Sequence, residues 1–306
     1  MTATRPVQPQ PPLPTGRPTG VPNRRSLAWR ALAAWAAMGL ALGAAGPVST
    51  ALGEQWGLGR TGRQALAALI VGTTVTAFIV WLNGRVDRRP LAALGLGPAG
   101  DAARGLAMGA IVTGGAAVLV ITPAALAGWI EFGAVDGGDL ARFLVLNALI
   151  AFGLEALLEE LVFRGYAFTT LRRRGARTAA FLGTLLLFCL IMVPTSAAAS
   201  LTALALGQEP DGLLLAPAGT DPVTYVILLA CFGTALLAAR IATGSLWASI
   251  ALHLVFLTVN RLVFASEGRD TGWNVEAAPD AAVLVLAYVL VTAAVFGLLA
   301  RVRRRP

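Results

Sequence analysis

The sequence predicts an all-α membrane protein, a polytopic bundle of about eight transmembrane helices with both termini in the cytosol. Three observations predict it. Of 306 residues, 57% are hydrophobic and only 13% charged, against roughly a quarter charged in a soluble domain. The apolar residues fall in runs long enough to cross a bilayer, which takes about 20 of them. The 24 basic residues, all arginine, sit mostly in the gaps between those runs. Arginine keeps its charge at any physiological pH. The net charge of +8 therefore suits attraction to an anionic inner leaflet, so lipid is the expected partner and nucleic acid is not.

Candidate spans lie near 28–52, 64–82, 104–130, 142–168, 178–203, 222–240, 244–264 and 281–300. The fourth is longer than one crossing, which implies tilt or an extension beyond the bilayer. Before the first, residues 1–26 hold seven prolines and four arginines, the composition of a disordered cytosolic tail. No short apolar core of a secretory signal follows it. The chain thus divides into this tail, N-terminal helices over 27–139, a core over 140–264, and a last helix with a basic end over 265–306. Cell-membrane localisation follows.

Arginine placement sets the orientation. Arg24 and Arg25 precede the first span, Arg85, Arg88 and Arg89 follow the second, and Arg104 opens the third. Arg172, Arg173, Arg174 and Arg177 separate the fourth from the fifth, and Arg301, Arg303, Arg304 and Arg305 end the chain. The alternate loops are acidic: Glu131, Asp136 and Asp139, then Glu209, Asp211 and Asp221, then Glu267, Asp270, Glu276 and Asp280. Arg60 and Arg63 are the discordant pair. The seven tryptophans cluster near span ends as interfacial anchors. Gly109, Gly114 and Gly115 would let helices approach closely.

One stretch breaks the apolar pattern, LEALLEELVFRGYAF over 154–168. An ionisable group at mid-membrane costs about 2.5–3.5 kcal/mol on insertion scales and usually faces protein or a wet cavity. On a helix Asn147, Ala151, Glu155 and Glu159 form one stripe at four-residue steps. Glu160 and Arg164 are also four apart, acid first, the favourable order for a pair. That leaves Glu159 without a partner on its own helix and makes it the candidate base. An internal salt bridge near the interface is the competing structural reading.

Glu159-Glu160-Leu161-Val162-Phe163-Arg164-Gly165-Tyr166 resembles the EExxxR motif of the CAAX-protease and bacteriocin-processing (CPBP) family, membrane-embedded proteins that include the type II CAAX prenyl endopeptidases. The basic run at 171–174 fits too, and the resemblance spans roughly 140–264. It implies an intramembrane endopeptidase acting on a membrane-anchored or prenylated-type peptide. In that family the first glutamate activates water, and histidines and an asparagine assist it or steady the oxyanion. Carried over, Glu159 is the base, Glu160 and Arg164 support it, and His253 is a donor.

Two family positions are substituted. FxxxH reads Phe188-Cys189-Leu190-Ile191-Met192, so Phe188 is kept and the histidine is Met192. HxxxN reads His253-Leu254-Val255-Phe256-Leu257, so His253 is kept and the asparagine is Leu257. Methionine offers no proton. Losing a proton-transfer partner costs about 10²–10⁴ in rate, and an oxyanion donor about 10²–10³. The alternative function is therefore a catalytically inactive pseudoprotease that binds or scaffolds a membrane partner. A proton-relaying carrier is a third reading, weakened because no inverted pair of broken helices is visible.

No cofactor is expected. His253 is the single histidine, so zinc held by two imidazoles is impossible. A mixed site with Cys189 is the residual possibility, set against a cysteine acting as a small buried hydrophobe. Asn260, seven residues past His253, lies about 10 Å further along the axis. Without the family context, His253 reads as a packing residue bonded to a carbonyl or to Ser249. The expectation that carries the rest is geometric: the acidic pair faces a hollow inside the bundle, opposite the only imidazole.

Overall fold

The computed structural model describes residues 23–265 and 269–303. Most of the expected tail, together with Glu267, Arg304 and Arg305, lies outside the described residues. Within them eight helices are long and apolar enough to cross a membrane: α1 (Arg24–Gln55), α2 (Arg60–Val86), α3 (Ala99–Leu126), α4 (Gly137–Leu171), α5 (Arg177–Ala205), α6 (Pro222–Thr243), α7 (Leu246–Phe264) and α8 (Pro279–Val302). The all-α bundle read from the sequence is the fold, and the eight apolar runs are its eight spans.

Local chemistry starts and stops the spans. Asn23 accepts from the Ser26 amide at 2.8 Å to cap α1. Asp136 accepts from the Gly138 and Asp139 amides at the head of α4, and Asp221 from the Thr224 amide at 2.7 Å before α6. Each satisfies amides that the helix itself cannot. Gly244 takes a left-handed φ of 72° and ends α6, a conformation that glycine adopts without penalty. Ser245 then caps α7 through its hydroxyl.

Five of the described spans depart from a plain α-helix: α2 ends in a π-helical turn, Leu82–Val86, α7 ends in another, Asn260–Phe264, α8 opens on a 3-10 turn, Pro279–Ala282, and α4 and α5 are interrupted within. α5 breaks at Leu190 and Ile191, between helical pieces Arg177–Cys189 and Met192–Ala205. Pro194 explains the break, because it donates no amide and crowds the carbonyl of Leu190 four residues back. α4 carries two π-helical stretches, Phe152–Ala156 and Glu160–Ala167, around a short α-helical piece, Leu157–Glu159. At 35 residues it exceeds one crossing, as its apolar run implied.

Small residues decide which spans touch. A Cβ on Gly39 would overlap the Pro194 ring, and one on Gly43 would strike the Thr195 carbonyl, so α1 lies directly on the second half of α5. Gly105 meets the Ser245 hydroxyl and Gly109 the Ala248 carbonyl, seating α3 on α7. The close approach expected of Gly114 and Gly115 is absent: both face open space. Sequence spacing marked small residues but not which face of α3 meets a neighbour.

A two-stranded antiparallel ribbon joins the bundle on the face opposite its two ends. β1 (Ile130–Val135) follows α3, and β2 (Trp273–Ala277) precedes α8. Ile130 pairs with Ala277 and Phe132 with Val275 before an irregularity ahead of Val135. Phe132 stacks on Trp273 with ring centroids 5.0 Å apart. The run read to 130 as the third span ends at Leu126, and its last residue belongs to this ribbon.

Candidate intramembrane active site

The site forms where α4 meets α7. Arg164 Nη1 donates to Glu160 Oε1 at 3.2 Å, and His253 Nδ1 lies 3.1 Å from the same oxygen. Glu160 and Arg164 are fully buried, and His253 is 2% exposed. A carboxylate oxygen only accepts, so opposite ionised Glu160 the Nδ1 atom carries the proton. That leaves Nε2 without a protein partner among the described residues.

Aromatic rings enclose this triad. The Arg164 guanidinium lies 4.1 Å from the Phe188 ring centroid, a cation–π contact. Phe163 meets Phe188 edge-on at 5.2 Å. Phe232 presents an edge-to-face contact to His253 at 4.9 Å and stacks on Phe256 at 3.9 Å. Gly233 is the reason α6 can come this close. A Cβ there would fall 2.9 Å from Phe188 and 3.4 Å from Arg164 Nη2. Among the described residues Glu160 Oε2 and Arg164 Nε and Nη2 are buried without a partner. Such atoms are costly unless another group or water meets them.

Glu159 stands apart from that lock. It is half-buried and makes no hydrogen bond or ion pair among the described residues. The charges of His253, Glu155, Arg164 and Glu160 all act on it, and Tyr225 of α6 lies within electrostatic reach as well. The acidic pair is therefore split. Glu160 holds the imidazole, while Glu159 is left unbonded beside it. The inserted π-turns give the reason, because they rotate α4 away from the α-helical stripe on which Glu159 would have continued from Glu155.

The other sequence candidates fall as follows. Phe188 supports Arg164, as just described. Met192 opens the second half of α5 immediately after the break at Leu190 and Ile191 and is half-buried. Leu257 lies one turn beyond His253 and is half-buried too. Among the described residues neither side chain enters a hydrogen bond. Ser249 does not meet His253; its hydroxyl donates to the Leu236 carbonyl at 3.0 Å. Asn260 donates to the Phe256 carbonyl and to the Tyr288 hydroxyl, away from the triad. Among the described residues no group of three or more His, Cys, Asp and Glu is placed to hold a metal ion.

Several polar groups were not singled out from sequence. Arg261 on α7 pairs with Glu155 and donates to Asn147 Oδ1 at 2.9 Å. Asn147 in turn donates to Thr258 Oγ1 at 3.1 Å. At the other end of α4, Asp87 accepts from Arg30, from Arg173 at 2.8 Å and from the Tyr166 hydroxyl at 2.6 Å, with its own side chain fully buried. The signal for Asp87 was present, a single acid within the arginine-rich run at 85–89. Its partners lie too far along the chain for spacing to reveal them.

Residues 141–259 match a family model described as type II CAAX prenyl endopeptidase Rce1-like. This segment is similar to that family. The match spans α4 to α7, the helices that carry the triad and Glu159. No curated protein and no solved structure matched the chain. The eight apolar spans are those of a multi-pass membrane protein.

Proposed function

We propose that the chain is a CPBP-type intramembrane endopeptidase working slowly with an incomplete site, Glu159 serving as the water-activating base. The observation that carries this reading is the unpaired, half-buried Glu159 carboxylate beside a sealed Glu160–Arg164–His253 lock. In the reaction, Glu159 takes a proton from water as the water oxygen bonds to the scissile carbonyl carbon. The carbonyl electron pair moves onto oxygen, and His253 as the imidazolium, held by Glu160 through Nδ1–H, donates from Nε2–H to that oxyanion. Collapse breaks the C–N bond, and the amine departs with the proton held by Glu159.

Met192 and Leu257 supply neither proton nor donor, so turnover several powers of ten below that of a complete site is expected. The substrate is a membrane-anchored or prenylated-type peptide presented at the arginine-rich face, with both chain ends on the cytosolic side of the cell membrane. The same two apolar side chains favour a second reading, a pseudoprotease that binds such a segment without cutting it.

Purified protein offered membrane-anchored peptides, with and without prenyl groups, separates the two. Product that disappears with Glu159→Gln supports the endopeptidase. Binding without product in both proteins supports the pseudoprotease.

A further inference from the structure

Glu155, Glu159 and Glu160 lie within six residues of one another on α4, and α7 contributes a partner to two of them. Arg261 takes Glu155 and is itself tied to Asn147 of α4 at 2.9 Å, while Asn147 reaches Thr258 of α7 at 3.1 Å. Eight residues earlier on α7, His253 takes Glu160 at 3.1 Å. Glu155 sits in the first π-helical stretch of α4 and Glu160 opens the second. Between them lies only Leu157–Glu159. π-Turns are rare, occur mostly as short insertions, and are frequent at functional sites. Here each is held from outside by a polar side chain of the same neighbouring helix.

We propose that Arg261 is a positioning residue for Glu159: with His253 it clamps both π-turns of α4 to α7. The clamp fixes the rotation of the three-residue piece that carries Glu159. It also occupies Glu155, so that of the three carboxylates Glu159 alone stays unbonded. Arg261 is two helical turns from His253, about 12 Å along the axis. It acts through α4 rather than on the reacting atoms. The role rests on the reading of Glu159 as the base, so its test has one arm that needs no cleavage.

That arm places a nitroxide on a single cysteine, Glu159→Cys, in a Cys189→Ala/Cys231→Ala background, with Leu290→Cys on the exposed side of α8 as the control. Arg261→Met is expected to raise the mobile spectral component at 159 at least about twofold and to leave 290 unchanged. Arg261→Lys, which keeps the charge, should retain the immobile line shape. An unaltered spectrum at 159, or mobility gained equally at 290, overturns the assignment. If Arg261→Met does not fold, Glu155→Gln removes the same ion pair and faces the same two outcomes.

The second arm measures cleavage. Arg261→Met should lower kcat about 10²-fold with KM steady, the cost of a misplacement of about 1 Å. An unchanged kcat overturns the role. A wild-type protein that cleaves nothing defeats the endopeptidase reading alone, and the nitroxide arm still decides the clamp.

Discussion

Met192 and Leu257 are the residues at which the proposed endopeptidase reading is most directly tested. By the resemblance each stands at a position where the family carries a polar side chain, and each is half-buried. Met192→His together with Leu257→Asn should therefore raise cleavage by at least about 10²-fold, read as initial rate on a prenylated peptide. A measurable rate left unchanged by the pair would show that these positions do not face the reacting bond. His253 predicts a different outcome, in stability. His253→Ala leaves Glu160 buried with Arg164 alone, and losing one hydrogen bond to a charged group costs about 1.5–3 kcal/mol. A fall in the thermal unfolding midpoint in detergent is the expected result. The Glu160–Arg164 pair was legible from its four-residue spacing. The Glu160–His253 and Glu155–Arg261 contacts were not, because each joins residues about a hundred positions apart. Nothing in a helical period reveals which of two adjacent glutamates a distant helix will meet.

Among the elements, α1 and the broken α5 form the most extensive helix pair, and their contact depends on missing side-chain volume. Gly39→Leu should force α1 off the Pro194 ring and destabilise the bundle by about 1–3 kcal/mol, the usual cost of overpacking; detergent unfolding checks it. Pro194→Ala should let α5 run straight and displace Met192, seen as altered labelling of a Met192→Cys protein. At the head of α6, the Thr224 amide holds the Asp221 carboxyl below the usual carboxylate range. The sign follows directly. Its contribution is complete above the unfolded value near 4 and fades as pH falls through the lower folded value. Asp221→Ala should therefore flatten the acid limb of stability against pH. Apolar run length revealed all eight spans because lipid demands about 20 such residues for each. The β1–β2 ribbon stayed hidden, since its strands are five or six residues long, lie some 140 positions apart and alternate only weakly. The π-stretches of α4 were hidden too, because they share the composition of an α-helix.

For the whole molecule, eight crossings put both ends of the described chain on one side, and arginine placement makes that side the cytosol. Cysteines introduced at Arg88 and Glu276 test this. The first should react with an impermeant maleimide only in inside-out vesicles, and the second only in right-side-out ones. The reverse result would invert the topology. The family match begins at residue 141, yet the buried carboxylate just past the end of α2 is knotted to the Tyr166 hydroxyl and to Arg173, and it also receives Arg30. Asp87 thus ties the opening helices to the region that the family model matches. Tyr166 and Arg173 follow Asp87 by about eighty residues, so those contacts form only once the fourth span has been made. A gene fragment encoding the matched region alone should yield an unfinished assembly. Supplying the first two helices as a separate polypeptide should complete it, much as a keystone cut elsewhere still closes the arch.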